Sequence, residues 1–299
     1  TKHGFDEFFG NLYHLNAEQM ANGDPWTQYP QSEQFKKNFG PRGVIHAFAD
    51  GRVEDTGPLT WERSQTVDDE VLAHTTAFIG QAVQNKKPFF VWYNSVRTHV
   101  WTVLPKEYEG KTGYGKYADA MAQHDDNVGK LLKYMEDQKL LDNTIIIYTT
   151  DNGVEKITWP DGGICPWRGE KGMSWEGGFR VPALIRWPGH VKPGTVYTDI
   201  FASLDWFPTL CTAAGAPGIV DKLKQGYQAG DKSFKVHLDG YDQTAYLEGR
   251  GPSARKEFFY WTEKDLEAVR YGDWKALFII EPQTWMAGKT HTTWPLLFN

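Results

Sequence analysis

Residues 143–153 read Asn-Thr-Ile-Ile-Ile-Tyr-Thr-Thr-Asp-Asn-Gly, and residues 168–182 read Arg-Gly-Glu-Lys-Gly-Met-Ser-Trp-Glu-Gly-Gly-Phe-Arg-Val-Pro. Residues 144–150 are short, apolar and β-branched, with a helix-patterned segment before them and turn residues after. That pattern predicts a buried strand of a parallel sheet. Asp151 and Asn152 then stand just past its carboxyl end, the edge at which open α/β sheets bind ligands. A carboxylate beside an amide offers two hard oxygen donors, suited to Ca²⁺ or Mg²⁺ rather than zinc. The same Asp-Asn-Gly also suits a plain tight turn, which favours these residues for φ > 0 positions and local side-chain bonds.

The second stretch adds one cation. Gly169-Glu170-Lys171-Gly172 is followed by Glu176-Gly177-Gly178, so Lys171 stands in a backbone dense in glycine, where the chain can approach an anion closely. A solvated lysine in a surface loop is the alternative reading of those residues alone.

Taken in order, Asp151-Asn152-Gly153, Gly169-Glu170-Lys171-Gly172 and residues 176–182 resemble the carboxyl-terminal half of a sulfatase of the bacterial arylsulfatase type, in the alkaline phosphatase-like superfamily. The likeness extends to Gly4-Phe5-Asp6-Glu7-Phe8-Phe9-Gly10, to the helix bearing Asp125, Val128 and Gly129, and to Trp187-Pro188-Gly189. It covers residues 4–215 and, more loosely, the rest. The resemblance implies an α/β fold, a three-layer αβα sandwich with a small carboxyl-terminal antiparallel sheet, truncated here. It implies Asp151 and Asn152 as ligands of a divalent cation, Ca²⁺ first and Mg²⁺ as the alternative. Lys171 is implied as the partner of sulfate oxygens, and His99 as a contact to the ester that protonates the leaving alcohol. His99 lies in Arg97-Thr98-His99-Val100, a loop at the same sheet edge as Asp151. The proline that often stands nearby in relatives is absent at Val100 and Trp101.

Sulfatases use a formylglycine made from the cysteine of a Cys-x-Pro-Ser-Arg motif. Cys165-Pro166-Trp167-Arg168 departs from it, because proline follows the cysteine directly and the serine is missing. Cys165 therefore reads as an ordinary loop residue, and Cys211 falls in an apolar helical pattern. The nucleophile is expected in an upstream segment outside this chain, together with further metal-binding aspartates, so residues 1–299 alone are expected to be inactive. The implied partners are a small-molecule or glycan sulfate ester and the formylglycine-generating enzyme, and the family suggests a periplasmic or secreted location. A phosphate or phosphonate ester hydrolase of the same superfamily and a non-catalytic scaffold are the alternatives.

Composition narrows the field further. The 299 residues carry 32 Lys+Arg against 38 Asp+Glu, a net charge of -6 with no basic stripe, which argues against nucleic acid as a partner. No aliphatic run approaches the ~20 residues of a membrane span. Two cysteines are too few for a disulfide framework. The 13 tryptophans read mostly as core or loop anchors.

The main domain is expected over 1–215, a glycine- and lysine-rich connector over 216–234, and a smaller α+β unit over 235–299. Residues 4–10 suit a short strand or turn, and 16–42 a loop covering the site. Residues 44–48 and 52–55 flank Asp50-Gly51 as a hairpin, with His46 structural. Apolar spacing predicts helices over 67–83, 117–140 and 203–214, and strands over 89–93 and 181–187. His124, Asp125 and Asp126 are consecutive on a helix and point in different directions, so they read as packing and surface polarity. Residues 257–261, 267–271 and 274–279 read as an antiparallel meander.

Overall fold

The computed structural model describes residues 1, 3–12, 14, 15, 43–162, 165–262, 264–281 and 284–299. The expected covering loop at 16–42 lies outside the described residues. The chain divides into two compact units, Thr1–Leu141 with Lys156–Gly163, and Asp142–Glu155 with Ile164–Asn299.

In the first unit, β1 (Glu7–Asn11) pairs antiparallel with β2 (Val44–Phe48), which pairs with β3 (Val53–Asp55). The Asp50-Gly51 turn closes the expected hairpin: Gly51 has φ of 88°, and its N–H donates to the Phe48 carbonyl at 3.0 Å. Helices α1 (Val67–Gln84) and α2 (Lys116–Asp137) follow where the apolar spacing placed them. Asp68, Asp69 and Glu70 in the first turn of α1 complement its positive end. Leu15, Val44, Leu59 and Val67 form a buried cluster against which Phe9 and Val96 pack. Each such fully buried aliphatic side chain contributes about 1.5–3 kcal/mol.

Residues 89–93 form no strand. Phe90 and Trp92 are 60% and 70% exposed, one face of an extended segment with no ladder partner among the described residues. Aromatic and β-branched content shows that a segment suits a sheet, but only a neighbour makes it a strand.

In the second unit, β4 (Ile146–Thr149) corrects the reading of 144–150 as a buried parallel strand. It is half-buried and pairs antiparallel with β5 (Ala183–Arg186), Ile146 lying opposite Arg186 and Thr149 opposite Ala183. A continuous apolar run does not reveal strand direction, and here the chain returns through the short helix α3 (Glu176–Phe179) to lie beside β4. Helix α4 (Trp206–Ala213) follows a 3₁₀ turn at Ser203–Asp205. The glycine- and lysine-rich stretch after Gly215 is more regular than expected, holding α5 (Ile219–Gln225) and the hairpin β6 (Tyr227–Ala229) and β7 (Lys232–Phe234).

After α6 (Thr244–Leu247), the expected meander is present and gains a fourth strand. β8 (Glu257–Thr262), β9 (Asp265–Tyr271), β10 (Trp274–Ile280) and β11 (Thr290–Phe298) stand in the order β11-β10-β9-β8. Met173, Trp175, Tyr260, Ala268 and Leu277 make a buried core that joins this sheet to the lysine loop. Trp175 and Trp187 are the buried tryptophans among the described residues, whereas Trp61, Trp92, Trp101, Trp261, Trp274 and Trp294 are at least half exposed, so burial does not account for these six. No helix among the described residues is long and apolar enough to cross a membrane.

Candidate active site

The turn after β4 and the lysine loop are laced together by backbone hydrogen bonds. Gly153 N–H donates to the Gly178 carbonyl at 2.9 Å, Lys171 N–H to the Val154 carbonyl at 2.9 Å, and Gly177 N–H to the Arg168 carbonyl at 2.7 Å. Contacts this close explain the glycines. A methyl group on Gly153 would overlap the Gly177 carbonyl oxygen, and one on Gly177 would come within 2.5 Å of the Gly169 oxygen. Gly169 itself has φ of 92° and turns against Trp175. Lys171 is thereby fixed, through its backbone, beside the turn that carries Asp151 and Asn152.

Asp151 is exposed at this turn and accepts the Thr150 hydroxyl at 3.3 Å. The Asn152 amide nitrogen donates to the Gly153 carbonyl at 2.9 Å, a bond that does not engage the side-chain oxygen. One carboxylate and one amide oxygen fit a hard divalent ion. Lys171 Nζ lies 3.9 Å from Glu155 Oε2 and is one-third exposed, a separation that leaves the ammonium able to take an anionic partner.

Below this loop lies a support that the motif did not announce. Glu176 accepts from Lys275 Nζ at 2.8 Å and from the Tyr260 hydroxyl at 2.8 Å, with Arg270 at 3.3 Å. Lys275 also donates to the Ser174 carbonyl at 2.6 Å. Burial pushes the Lys275 ammonium down to about 8 against the pull of Glu176. Burial is the largest single influence on Glu176 and would raise it, but Lys275, Tyr260 and Arg270 together outweigh it and hold the carboxyl below its usual range. Nearby, Glu267 and Glu281 are fully buried, and the Glu281 carbonyl accepts the Trp175 indole N–H at 3.3 Å. Burial, then the hydrogen bond and charge of Glu267, push the Glu281 carboxyl up to about 7.

His99 belongs to the first unit, whereas Asp151, Asn152 and Lys171 belong to the second. Its Nδ1 meets the Val100 carbonyl at 2.8 Å, and because a carbonyl only accepts, Nδ1 carries the proton in that contact. The His99 N–H donates to the Val96 carbonyl at 3.0 Å, and the His99 carbonyl accepts the Thr102 hydroxyl at 2.8 Å. Arg97 is buried beneath the loop and donates to Gln123 Oε1 at 2.8 Å and to the carbonyls of Ser64, Gln65 and Val103 at 2.9–3.1 Å. Asp68, 3.8 Å from Arg97, accepts the Val96 N–H at 3.0 Å and the Ser95 hydroxyl at 2.9 Å. Asp68 escaped the sequence reading because it looks like an ordinary first-turn acid. Asp125 is exposed, whereas Asp126 accepts Tyr108 and Lys111, in keeping with their divergent directions on α2.

The sulfatase family model matches residues 1–216, and the chain belongs to the sulfatase family. It is 33% identical to human arylsulfatase A over 216 residues, 70% of this chain and 39% of that protein. It is 27% identical to the dog N-acetylgalactosamine-6-sulfatase over 296 residues, 95% of this chain and 49% of that protein. Among solved structures, the PsFucS1 sulfatase from Pseudoalteromonas sp. superposes with a TM-score of 0.83 at 29% identity, over 99% of this chain and 60% of that one. The fold is accordingly the alkaline phosphatase-like α/β type with a small carboxyl-terminal antiparallel sheet. The chain spans 39% and 49% of the length of these two curated relatives.

Proposed function

We propose that this chain carries the cation- and sulfate-holding part of a sulfatase active site, and that the protein to which it belongs hydrolyses sulfate esters to an alcohol and inorganic sulfate. The observation that carries the reading is the backbone lacing of Lys171 to the Asp151-Asn152 turn through Val154 and Gly153. It supports a role in which fixed positive charge and hard oxygen donors meet one anion. Asp151 and Asn152 would hold the divalent cation, Ca²⁺ by preference, which when bound supplies positive charge to the sulfate oxygens. They fill only part of the 6–8 oxygen shell that Ca²⁺ takes, the remainder coming from water or from protein outside this chain. Lys171 pairs with sulfate oxygens and offsets the charge that builds as the S–O bond lengthens. His99, whose Nδ1 proton is engaged by Val100, would contact the ester and in its protonated form give a proton to the departing alcohol oxygen.

The nucleophile is a formylglycine outside residues 1–299, since neither Cys165 nor Cys211 stands in its motif. The formylglycine-generating enzyme is then a required partner, and export to the periplasm or beyond the cell fits the family. The test is to express the parent protein with and without that enzyme, and the 1–299 chain separately. Sulfate release from an aryl sulfate is followed, with Ca²⁺ binding by calorimetry. Turnover is expected only from the parent matured by the enzyme. Multiple turnover by the 1–299 chain alone would overturn the assignment of the nucleophile, and an inert matured parent would overturn the activity.

A further inference from the structure

The first unit holds a second convergence of ligating side chains, on elements that contribute nothing to the Asp151 turn. Glu7 on β1, His46 on β2 and His74 on α1 each offer one donor atom, and the three atoms lie within 4.8 Å of one another. The fold makes them meet. In the β1-β2 ladder Phe9 stands opposite His46 and Glu7 opposite Phe48, so these four side chains share one face and Glu7 is the diagonal neighbour of His46. Helix α1 brings His74 onto that face, where its ring stacks on Phe9 with centroids 3.6 Å apart and planes 15° from parallel. Phe48 walls the other imidazole, 4.1 Å from the His46 centroid. Glu7 Oε1 faces both rings, at 2.7 Å from His46 Nε2 and 3.7 Å from His74 Nδ1.

Two imidazole nitrogens with one carboxylate oxygen are a borderline donor set, unlike the all-oxygen pair of Asp151 and Asn152. We propose that Glu7, His46 and His74 form a site for a Zn²⁺-class transition metal, separate from the sulfate-holding turn and with its fourth coordination position open to solvent. The three side chains are partly exposed, and they line an open cleft of about 580 Å³ that Asp6, Asp50 and Gln81 also border. A tetrahedral ion with bonds of about 2.0–2.1 Å sets its donors about 3.4 Å apart. The two separations from Glu7 Oε1, 2.7 and 3.7 Å, bracket that value, and the two imidazole donors lie within 4.8 Å of each other. His46, which looks structural in sequence, becomes a ligand only when residues far from it in the chain are placed around it.

Co²⁺ is the probe, because nitrogen ligation in a tetrahedral field gives it strong visible absorption while Ca²⁺, held in excess to fill oxygen sites, is silent. Titration of the chain should give one visible Co²⁺ equivalent, displaced by one equivalent of Zn²⁺ and unchanged in the Asp151→Ala/Asn152→Ala variant. His46→Gln and His74→Gln should each weaken Co²⁺ by ~100-fold or more, since even residues behind a ligand cost 10–100-fold. Zn²⁺ should raise the thermal midpoint of the unsubstituted chain and not of these variants. X-ray absorption on the unsubstituted chain, independent of how the variants fold, should show two imidazoles in the metal shell. A shell without imidazole, no visible band, or unchanged affinity in both histidine variants would overturn the site.

Discussion

Lys171 stands in a loop locked to its neighbours by backbone and glycine, whereas His99 stands in a loop locked by buried side chains. Around Lys171 the chain packs so tightly that Gly153, Gly177 and Gly178 have no room for a methyl group. Around His99 the backbone is instead held by Asp68, reaching in from α1, and by the buried side chain of Arg97 in the loop itself. Each loop also rests on a carboxylate–cation pair, Glu176 with Lys275 and Asp68 with Arg97, but their surroundings differ. Asp68 and Arg97 are sealed from water, while Glu176 keeps about a fifth of its side chain exposed. The lesson is that a glycine-built loop advertises itself in the local sequence, whereas a side-chain-built loop hides its support at a distance.

That contrast predicts unequal costs. Asp68→Asn should destabilise the protein by about 3–5 kcal/mol, because it strands a buried guanidinium, whereas Glu176→Gln should cost about 1.5–3 kcal/mol, as for a hydrogen bond to a charged group. Chemical denaturation of the two variants checks the order, and equal costs would erase the distinction between the two supports.

A second pair sharpens the glycine side of the comparison. Gly153→Ala should cost about 1–3 kcal/mol or more, since the added methyl overlaps the Gly177 carbonyl. Gly129→Ala, in the middle of α2 with open space around it, should instead stabilise by about 0.4–1 kcal/mol. Thermal unfolding reads both signs.

The smallest effect concerns the carboxylates buried beside Trp175. Glu281 is raised to about 7 by burial and by Glu267, so the folded protein keeps a proton that the unfolded chain has lost. Its contribution is fully present below the ordinary carboxylate range and fades as pH rises through about 7. Glu281→Gln mimics the protonated form, so the thermal midpoint of this variant should fall less than that of the unsubstituted protein between pH 5 and pH 8. Parallel curves would show that Glu281 is not the group responsible.

Much of the fold was legible where a signal is local. Asp50-Gly51 marked its hairpin, apolar spacing marked α1 and α2, and alternating strands marked the carboxyl-terminal meander. Strand direction and pairing were not, because Ile146 and Arg186 are neighbours only through register and Phe90 and Trp92 lack a partner among the described residues. In the candidate site, Asp151, Asn152 and Lys171 were pointed to by the family resemblance of their glycine-rich motifs, and backbone hydrogen bonds lace the two stretches together. Asp68, Lys275 and the Glu7, His46 and His74 group were not, because each acts through residues between a few dozen and a hundred positions away.

Steady-state kinetics of the matured parent protein on an aryl sulfate decide whether Lys171 and His99 act on the ester, with Lys171→Ala and His99→Ala each compared against unsubstituted enzyme of matched thermal stability. Each variant should keep its fold and lose ~100-fold or more in kcat, as when a charge-stabilising donor or a general acid is removed. Near-normal kcat in both variants, with the protein folded, would contradict that role.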